Sequence, residues 1–174
     1  NNSAVETIDV TSGQVTGSGS TQITINPSSD LAEQTSYYVQ IAATAFDDSS
    51  SNSYSGISDT TSLSFTTADE TAPTFSSAAT NTAGTKVILT YNEALSSTTA
   101  ATSAFAVTTA GVSNSVTDVT VSGSTVELTL TTTVKNDEAV TVAYTDPSGS
   151  DDANAIQDSS GNDVISLSST SVTN

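Results

Sequence analysis

Acidic side chains in predicted loops are the residues of this chain whose type and spacing could do chemistry. They form four clusters, three of which lie beside the Ser, Asn or Gly residues that favour turns. Calcium takes about six to eight oxygen ligands from carboxylates, amides and carbonyls. Close carboxylates also repel each other unless a cation neutralises them. The sequence therefore predicts calcium ligands in the following clusters: Asp47 and Asp48 with Asn52; Asp69 and Glu70; Asp151 and Asp152; Asp158 with Asn162 and Asp163.

The cluster formed by Asp69 and Glu70 stands just before Pro73, in a stretch that closes one β-rich segment and opens the next. Proline fixes its own φ and favours extended geometry before it, which predicts a semi-rigid connector. We expect a carboxylate of this connector to share one calcium ion with Glu93 and a neighbouring loop. The alternative is that loop carboxylates only mark solvated turns, since none of the clusters fits an EF-hand loop or a Gly-rich nonapeptide calcium repeat.

Composition restricts the partners and the metal. The 174 residues carry 19 acidic side chains against Lys86 and Lys135, a formal charge of -17. Nucleic acids and anionic membranes need a cationic surface, so neither is an expected partner. No apolar run is long enough to insert into a membrane. Because the chain has neither His nor Cys, any metal site must consist of oxygen ligands, which favours a hard cation.

The sequence predicts no enzyme and no catalytic or cofactor-binding residue. Without His or Cys, the usual partners of a nucleophile or a catalytic base are missing. No serine lies in a Gly-x-Ser-x-Gly or Ser-x-x-Lys motif. Gly17 and Gly19 are not followed by the third glycine of a dinucleotide-binding loop.

Five tyrosines raise the alternative of a carbohydrate-binding surface. Tyr38, Tyr91 and Tyr144 lie within alternating segments and are expected to pack in or on sheets. Tyr37 and Tyr54 are the candidates for exposed rings that could stack on a surface glycan. The chain has no Trp, the largest ring available for such stacking.

Short alternating segments separated by turns, with no helical periodicity, predict an all-β protein built from β-sandwiches. The expected strands of the first half are 4–10, 22–25, 36–43 and 62–66. Those of the second half are 86–91, 105–107, 115–121, 126–130 and 139–144, with a last strand beginning at 164–167.

The two halves are related by an internal repeat. Residues 18–21 and 122–125 are both Ser-Gly-Ser-Thr, and the Asp-x-x-x-Asn pattern of 48–52 recurs at 158–162. The order of the segments predicts an incomplete module at 1–68, an acidic proline connector at 69–73 and a complete module at 74–174. The alignment pairs Asn1 with Phe105, so the first module is expected to lack its initial strands. They are either absent from a fragment or donated by another chain, for which the extended tail at 166–174 is a candidate donor.

Residues 70–174 resemble the bacterial Ig-like repeat of the cyanobacterial swimming-motility protein type. The resemblance lies in 87–95, 103–105, 119–130, 140–144, 156–162 and 172–174. Residues 4–67 resemble the back part of the Ig-like domain of S-layer and giant surface proteins, at 31–41, 45–48, 56–57 and 64–67.

The resemblance implies tandem Ig-like β-sandwich modules that act as structural spacers in an extracellular bacterial surface protein, adhesin-like or fibre-forming. Its expected partners are neighbouring Ig-like modules or copies of itself. We expect calcium to stiffen the loops or the connector. The alternatives are a self-assembling filament subunit that polymerises by strand donation and a carbohydrate-binding adhesion module.

Overall fold

The computed structural model describes residues 3–174, which are almost entirely β-strands and turns. The chain folds as two compact units, Asn1–Asp69 and Glu70–Asn174. Their boundary falls inside the stretch 69–73 that the sequence marks as a connector. Residues 1 and 2, with which the predicted first module begins, lie outside the described residues.

Unit 1 consists of two small antiparallel sheets. The first pairs β1 (Val15–Thr16) with β2 (Thr24–Ile25), and the second pairs β3 (Ser36–Tyr38) with β4 (Ser64–Thr66). None of the described residues of unit 1 is buried. Several of its apolar side chains are exposed to solvent: Val5, Val10, Ile23, Ile25, Tyr54, Leu63 and Phe65.

The predicted strand at 4–10 is wrong. This segment alternates in sequence, but its polar side chains bind loops rather than a neighbouring strand. Glu6 accepts hydrogen bonds from the Gln14 side chain (2.8 Å) and the Ser28 N–H (2.9 Å), and Asp9 caps a turn by accepting from the Thr11 N–H (2.8 Å). The strand that pairs with β2 is β1, further along the chain. Alternation predicts a strand only where a sheet neighbour and a core exist to receive it.

Only β3 forms a regular strand within the predicted strand 36–43, although backbone pairing continues beyond Tyr38. Ile41 and Ile57 exchange two hydrogen bonds of 2.9 and 2.8 Å, and Tyr54 donates to the Phe46 carbonyl (2.8 Å). The second sheet of unit 1 therefore extends as an irregular hairpin from β3 to a turn at 48–52 and back to β4.

Unit 2 is a sandwich of two four-stranded antiparallel sheets. Its strands are β5 (Phe75–Thr80), β6 (Lys86–Tyr91), β7 (Phe105–Thr109), β8 (Val112–Ser113), β9 (Val116–Ser122), β10 (Thr125–Leu130), β11 (Val140–Tyr144) and β12 (Leu167–Val172). The first sheet has the order β5, β6, β10, β9, and the second has the order β12, β11, β7, β8. A short 3-10 helix, Thr102–Ala104, precedes β7.

The core of unit 2 follows directly from alternation in its central strands. In β6, β10 and β11, every second side chain is buried, which places one face of each strand against the opposite sheet. Val87, Leu89, Val126, Leu128 and Val142 have no exposed surface. The prediction of an all-β protein with a β-sandwich is confirmed, and the predicted strand 86–91 has the bounds of β6.

The tail of unit 2 is part of its own sheet. β12 pairs with β11, from Val140 opposite Val172 to Tyr144 opposite Leu167. Most of the candidate donor segment 166–174 is therefore paired within unit 2, and donation to another chain would break these pairings. The last strand, predicted to begin at 164–167, is β12, which begins at Leu167.

Candidate functional site

The acidic turn at 158–162 in unit 2 is built around one buried carboxylate. Asp158 Oδ1 accepts hydrogen bonds from the N–H groups of Ser160 (2.7 Å), Gly161 (2.8 Å) and Asn162 (3.0 Å), and Oδ2 accepts from the Asn162 side-chain amide (2.8 Å). Burial alone would raise the pKa of Asp158. The hydrogen bonds from Asn162, Ser160 and Gly161 outweigh burial and lower it.

The acidic turn at 48–52 in unit 1 has the same construction. Asp48 Oδ1 accepts from the N–H groups of Ser50 and Asn52 (both 2.8 Å), and Oδ2 accepts from the Asn52 side-chain amide (2.9 Å). In each turn the aspartate N–H also donates to the asparagine carbonyl. Asp47 accepts from the Ser53 hydroxyl (2.6 Å). The hydrogen bonds that Asp48 accepts lower the pKa of its exposed carboxyl, and the bond from the Asn52 side chain has the largest effect. The repeated sequence pattern thus produces a repeated structure.

Glu93 is the carboxylate of unit 2 that comes close to the buried turn. Carboxylate oxygens of Glu93 and Asp158 lie within 4.8 Å of each other. Glu93 is half-buried and follows the end of β6, whereas Asp158 lies in the long connection between β11 and β12. Two carboxylates at this separation repel unless a proton or a cation lies between them, and calcium fits such an oxygen-only pair.

Asp151, Asp152 and Asp163 form a second acidic group within the same connection. The Asp152 N–H donates to Asp163 Oδ2 (2.8 Å), and the Asp163 N–H donates to Asp151 Oδ1 (3.2 Å). Burial, followed by the charges of Asp151, Asp152 and Asp146, raises the pKa of Asp163 despite the Asp152 hydrogen bond. The sequence analysis identified Asp151, Asp152 and Asp163 as candidate ligands. It missed Asp146, because the effect of Asp146 on Asp163 depends on the fold of the loop.

Asp69 and Glu70 stand on either side of the unit boundary. In unit 1, Asp69 Oδ2 accepts a hydrogen bond from the Gln34 side-chain amide (2.8 Å). Glu70, the first residue of unit 2, is exposed. The expectation that this connector shares calcium with Glu93 stays a prediction.

The tyrosines are mostly used for packing. Tyr91 and Tyr144 are buried, which confirms the expectation that they belong to the core. Tyr37, a glycan-site candidate, is half-buried, with its ring centroid 6.0 Å from that of Phe65 and its hydroxyl accepting from the Ala32 N–H (3.0 Å). Tyr54 is 43% exposed. The two candidate rings thus differ in exposure. That they bind a surface glycan stays a prediction.

A contact between the first and last strands of unit 2 was not predicted from the sequence. Ala79 and Thr173 form a parallel bridge, in which the Thr80 N–H donates to the Thr173 carbonyl and the Thr173 N–H donates to the Ala78 carbonyl, both at 2.9 Å. The Thr80 hydroxyl adds a hydrogen bond to the Asn174 side chain (3.0 Å). Opposite forces on the start of β5 and the end of β12 would load this contact along the strands, in shear.

Comparisons with known proteins agree with the division into units. Residues 1–67 match the family model described as a bacterial Ig-like domain. Residues 68–149 match the model described as a putative flagellar system-associated repeat. No curated protein matches the chain significantly. The described part of the chain has no helix that could serve as a membrane span.

Two solved structures are similar to part of the chain. The N-terminal part of the bacterial S-layer protein SbsC is 21% identical over 59% of this chain and 23% of the solved chain, with a TM-score of 0.47. A longer SbsC structure, rSbsC(31-844), is 23% identical over 60% of this chain and 14% of the solved chain, also with a TM-score of 0.47. The chain thus spans less than a quarter of either solved chain. The family resemblance predicted from the sequence is confirmed: the first segment matches the bacterial Ig-like domain model, and the following segment matches the model of a putative flagellar system-associated repeat.

Proposed function

We propose that the chain is a structural spacer from an extracellular bacterial surface protein, adhesin-like or fibre-forming, with no catalytic role. The observation that carries this proposal is the parallel contact between β5 and β12 in unit 2. A spacer transmits tension between its neighbours, and tension enters a module through its first strand and leaves through its last. The match to two modular bacterial families supports the same role.

The parallel contact suits a load-bearing module for a geometric reason. In a parallel pair the two strands point the same way, so pulling on opposite ends slides them past each other. Sliding requires the bonds between Thr80, Thr173 and Ala78 to break together rather than one after another. The sandwich core behind them, which contains Val87, Leu128 and Val142, holds the two sheets in register.

Single-molecule force spectroscopy tests this role. We expect unit 2 to unfold in one high-force event, and Thr173→Pro to lower that force because proline has no N–H to donate to Ala78. Leu128→Ala is the matched control, since it weakens the core without touching the contact. The proposal is overturned if Thr173→Pro leaves the unfolding force unchanged, or if Leu128→Ala lowers it more than Thr173→Pro does.

We further propose that calcium rigidifies the spacer, with Glu93 and Asp158 as its ligands in unit 2. Their proximity in a chain of charge -17 supports this reading. A ligand bound only by the folded state raises stability, by about 2.7 kcal/mol at about 100 times its Kd. We expect calcium to raise the unfolding temperature of unit 2 relative to excess chelator. Glu93→Gln should reduce this rise, whereas the exposed control Asp118→Asn should retain it. An equal calcium response in Glu93→Gln would contradict the assignment.

A further inference from the structure

The carboxylate of Asp163 is buried without a full set of partners. The residue is 8% exposed, and its Oδ1 atom is buried with no hydrogen-bond partner among residues 3–174. The other oxygen, Oδ2, accepts from the Asp152 N–H. A buried polar atom without a partner is costly, and a charged one is more so. Nearly all buried polar atoms in folded proteins are satisfied, so an unsatisfied one indicates a missing partner.

The surroundings of Asp163 supply negative charge. Asp146, Asp151 and Asp152 all raise its pKa through their charges, after the larger effect of burial. Lys86, one of the two basic residues in the chain, is paired with Glu127 at 2.5 Å in the first sheet. Among the described residues, Asp163 forms no ion pair with Lys86 or Lys135. We therefore expect its missing partner to be a cation from solution.

We propose that the loop between β11 and β12 binds a calcium ion through Asp163 Oδ1, with Asp146, Asp151 and Asp152 supplying further oxygen atoms. This site is separate from the pair Glu93–Asp158 and does not rest on the proposed spacer function. Calcium fits better than magnesium, because an irregular loop that offers several carboxylates suits a large and irregular coordination shell. The Asp163 oxygen is the fixed ligand, since Asp163 is buried and its backbone is bridged to Gln157.

The loop closes when the ion binds. No three of these four carboxylates have oxygens within 4.8 Å of one another in the described chain, so the site has to assemble on binding. Asp146 and Asp152 are half-buried and Asp151 is exposed, in a stretch of turns and bends. In Asp152, Oδ1 accepts from the Asn154 N–H (2.6 Å) and Oδ2 from the Ser148 hydroxyl. These bonds leave lone pairs on the carboxylate for an ion. Calcium would draw the exposed side of the loop towards Asp163.

Tyr144 makes the site observable. Its buried hydroxyl accepts a hydrogen bond from the Ile156 N–H (3.0 Å). Burial raises its pKa to about 12, and the charges of Asp146, Asp163 and Asp152 contribute to the rise. The Ile156 carbonyl in turn accepts from the N–H of Val164, the residue after Asp163 (2.7 Å), so these hydrogen bonds connect the Tyr144 hydroxyl to the proposed site. A terbium ion, which replaces calcium at oxygen sites, should emit when tyrosine is excited, and calcium should compete with it.

The experiment titrates the full chain with terbium alone and then with calcium. We expect tyrosine-sensitised emission that calcium displaces, and at least about tenfold weaker terbium binding in Asp163→Asn, which removes the buried charge. Asp118→Asn, on the exposed face of β9, should bind like the parent chain. Thermal unfolding in chelator checks that Asp163→Asn is folded, because it should be at least as stable as the parent chain without the ion.

Glu93→Gln separates this site from the calcium proposed for the spacer. Terbium binding retained in Glu93→Gln and lost in Asp163→Asn supports the Asp163 site, whatever becomes of the other. Binding that is lost in Glu93→Gln and retained in Asp163→Asn overturns it and leaves the spacer's calcium in place. Absence of sensitised emission in the parent chain, or wild-type affinity in Asp163→Asn, also overturns it.

Discussion

The acidic turns at 48–52 and 158–162 share their hydrogen bonds but differ in their surroundings. Each aspartate accepts from backbone N–H groups and from the side-chain amide of an asparagine four residues later. Asp48 is exposed in a unit where no described residue is buried, whereas Asp158 is buried against a sandwich core. The comparison shows that local sequence specifies the turn, while the surrounding fold determines how much the turn contributes to stability.

The largest expected difference between the units is in their apolar residues. We expect Leu128→Ala to destabilise unit 2 by about 2–5 kcal/mol, because it leaves a cavity in a core where Leu128 has no exposed surface. Leu63→Ala in unit 1 should change stability by within about 0.5 kcal/mol, since Leu63 is 41% exposed. Hydrogen exchange followed by mass spectrometry on peptides from each unit measures both changes separately. Equal losses at the two positions would contradict the contrast in burial.

The second prediction concerns the two aspartates themselves. We expect Asp158→Ala to cost about 1.5–3 kcal/mol, because it leaves the N–H groups of Ser160, Gly161 and Asn162 without their charged acceptor in a buried turn. Asp48→Ala removes the matching bonds in an exposed turn, where water replaces the acceptor. Its effect should be clearly smaller. Chemical denaturation in chelator, so that calcium does not contribute, gives both values. A larger loss at Asp48 than at Asp158 would reverse the comparison.

Unit 2 shows which features sequence patterns can predict. β6 and β10 were predicted because their alternation matches a real buried face. The Asp-x-x-x-Asn turns were recognisable because every bond in them is local. The segment 4–10 alternates just as clearly but has no sheet to join, so the prediction there is wrong.

The unpredicted features depend on residues far apart in the chain. The bridge between Ala79 and Thr173 joins strands at opposite ends of unit 2, and nothing in either segment marks the other as its partner. The burial of Asp163 depends on how the loop before it packs, so composition identified an acidic cluster but not the oxygen without a partner. Composition therefore predicts that any cation ligands are oxygen atoms, whereas the fold determines which carboxylates come together.

The smallest expected effect is the pH dependence of the contributions that Asp158 and Asp163 make to stability. It is also the effect that distinguishes these two residues most clearly. The pKa of Asp158 is lowered in the folded state, so its contribution to stability is present above its unfolded pKa, about 3.8, and is lost as the pH falls through the folded value. The pKa of Asp163 is raised, so its contribution is present below about 3.8 and is lost as the pH rises through the folded value. The two residues should therefore have opposite effects at neutral pH.

Neutral substitutions separate these opposite effects. At pH 7 in chelator, Asp158→Asn should lower the unfolding free energy of unit 2, whereas Asp163→Asn should raise it. We expect the rise to be at most about 1 kcal/mol, because the amide is still a buried polar group with an incomplete set of partners. The Asp163→Asn difference should shrink as the pH falls through the raised folded pKa of Asp163 towards about 3.8. The Asp158→Asn difference should shrink only below about 3.8, as the pH falls through the lowered folded pKa of Asp158. With calcium added at pH 7, the parent chain should overtake Asp163→Asn, because only the parent has the buried charge that the ion neutralises. If Asp163→Asn is destabilising in chelator, the Asp163 carboxylate already has a stabilising partner in the folded chain. Asp163 would then resemble Asp158, and the contrast between the two residues would be wrong.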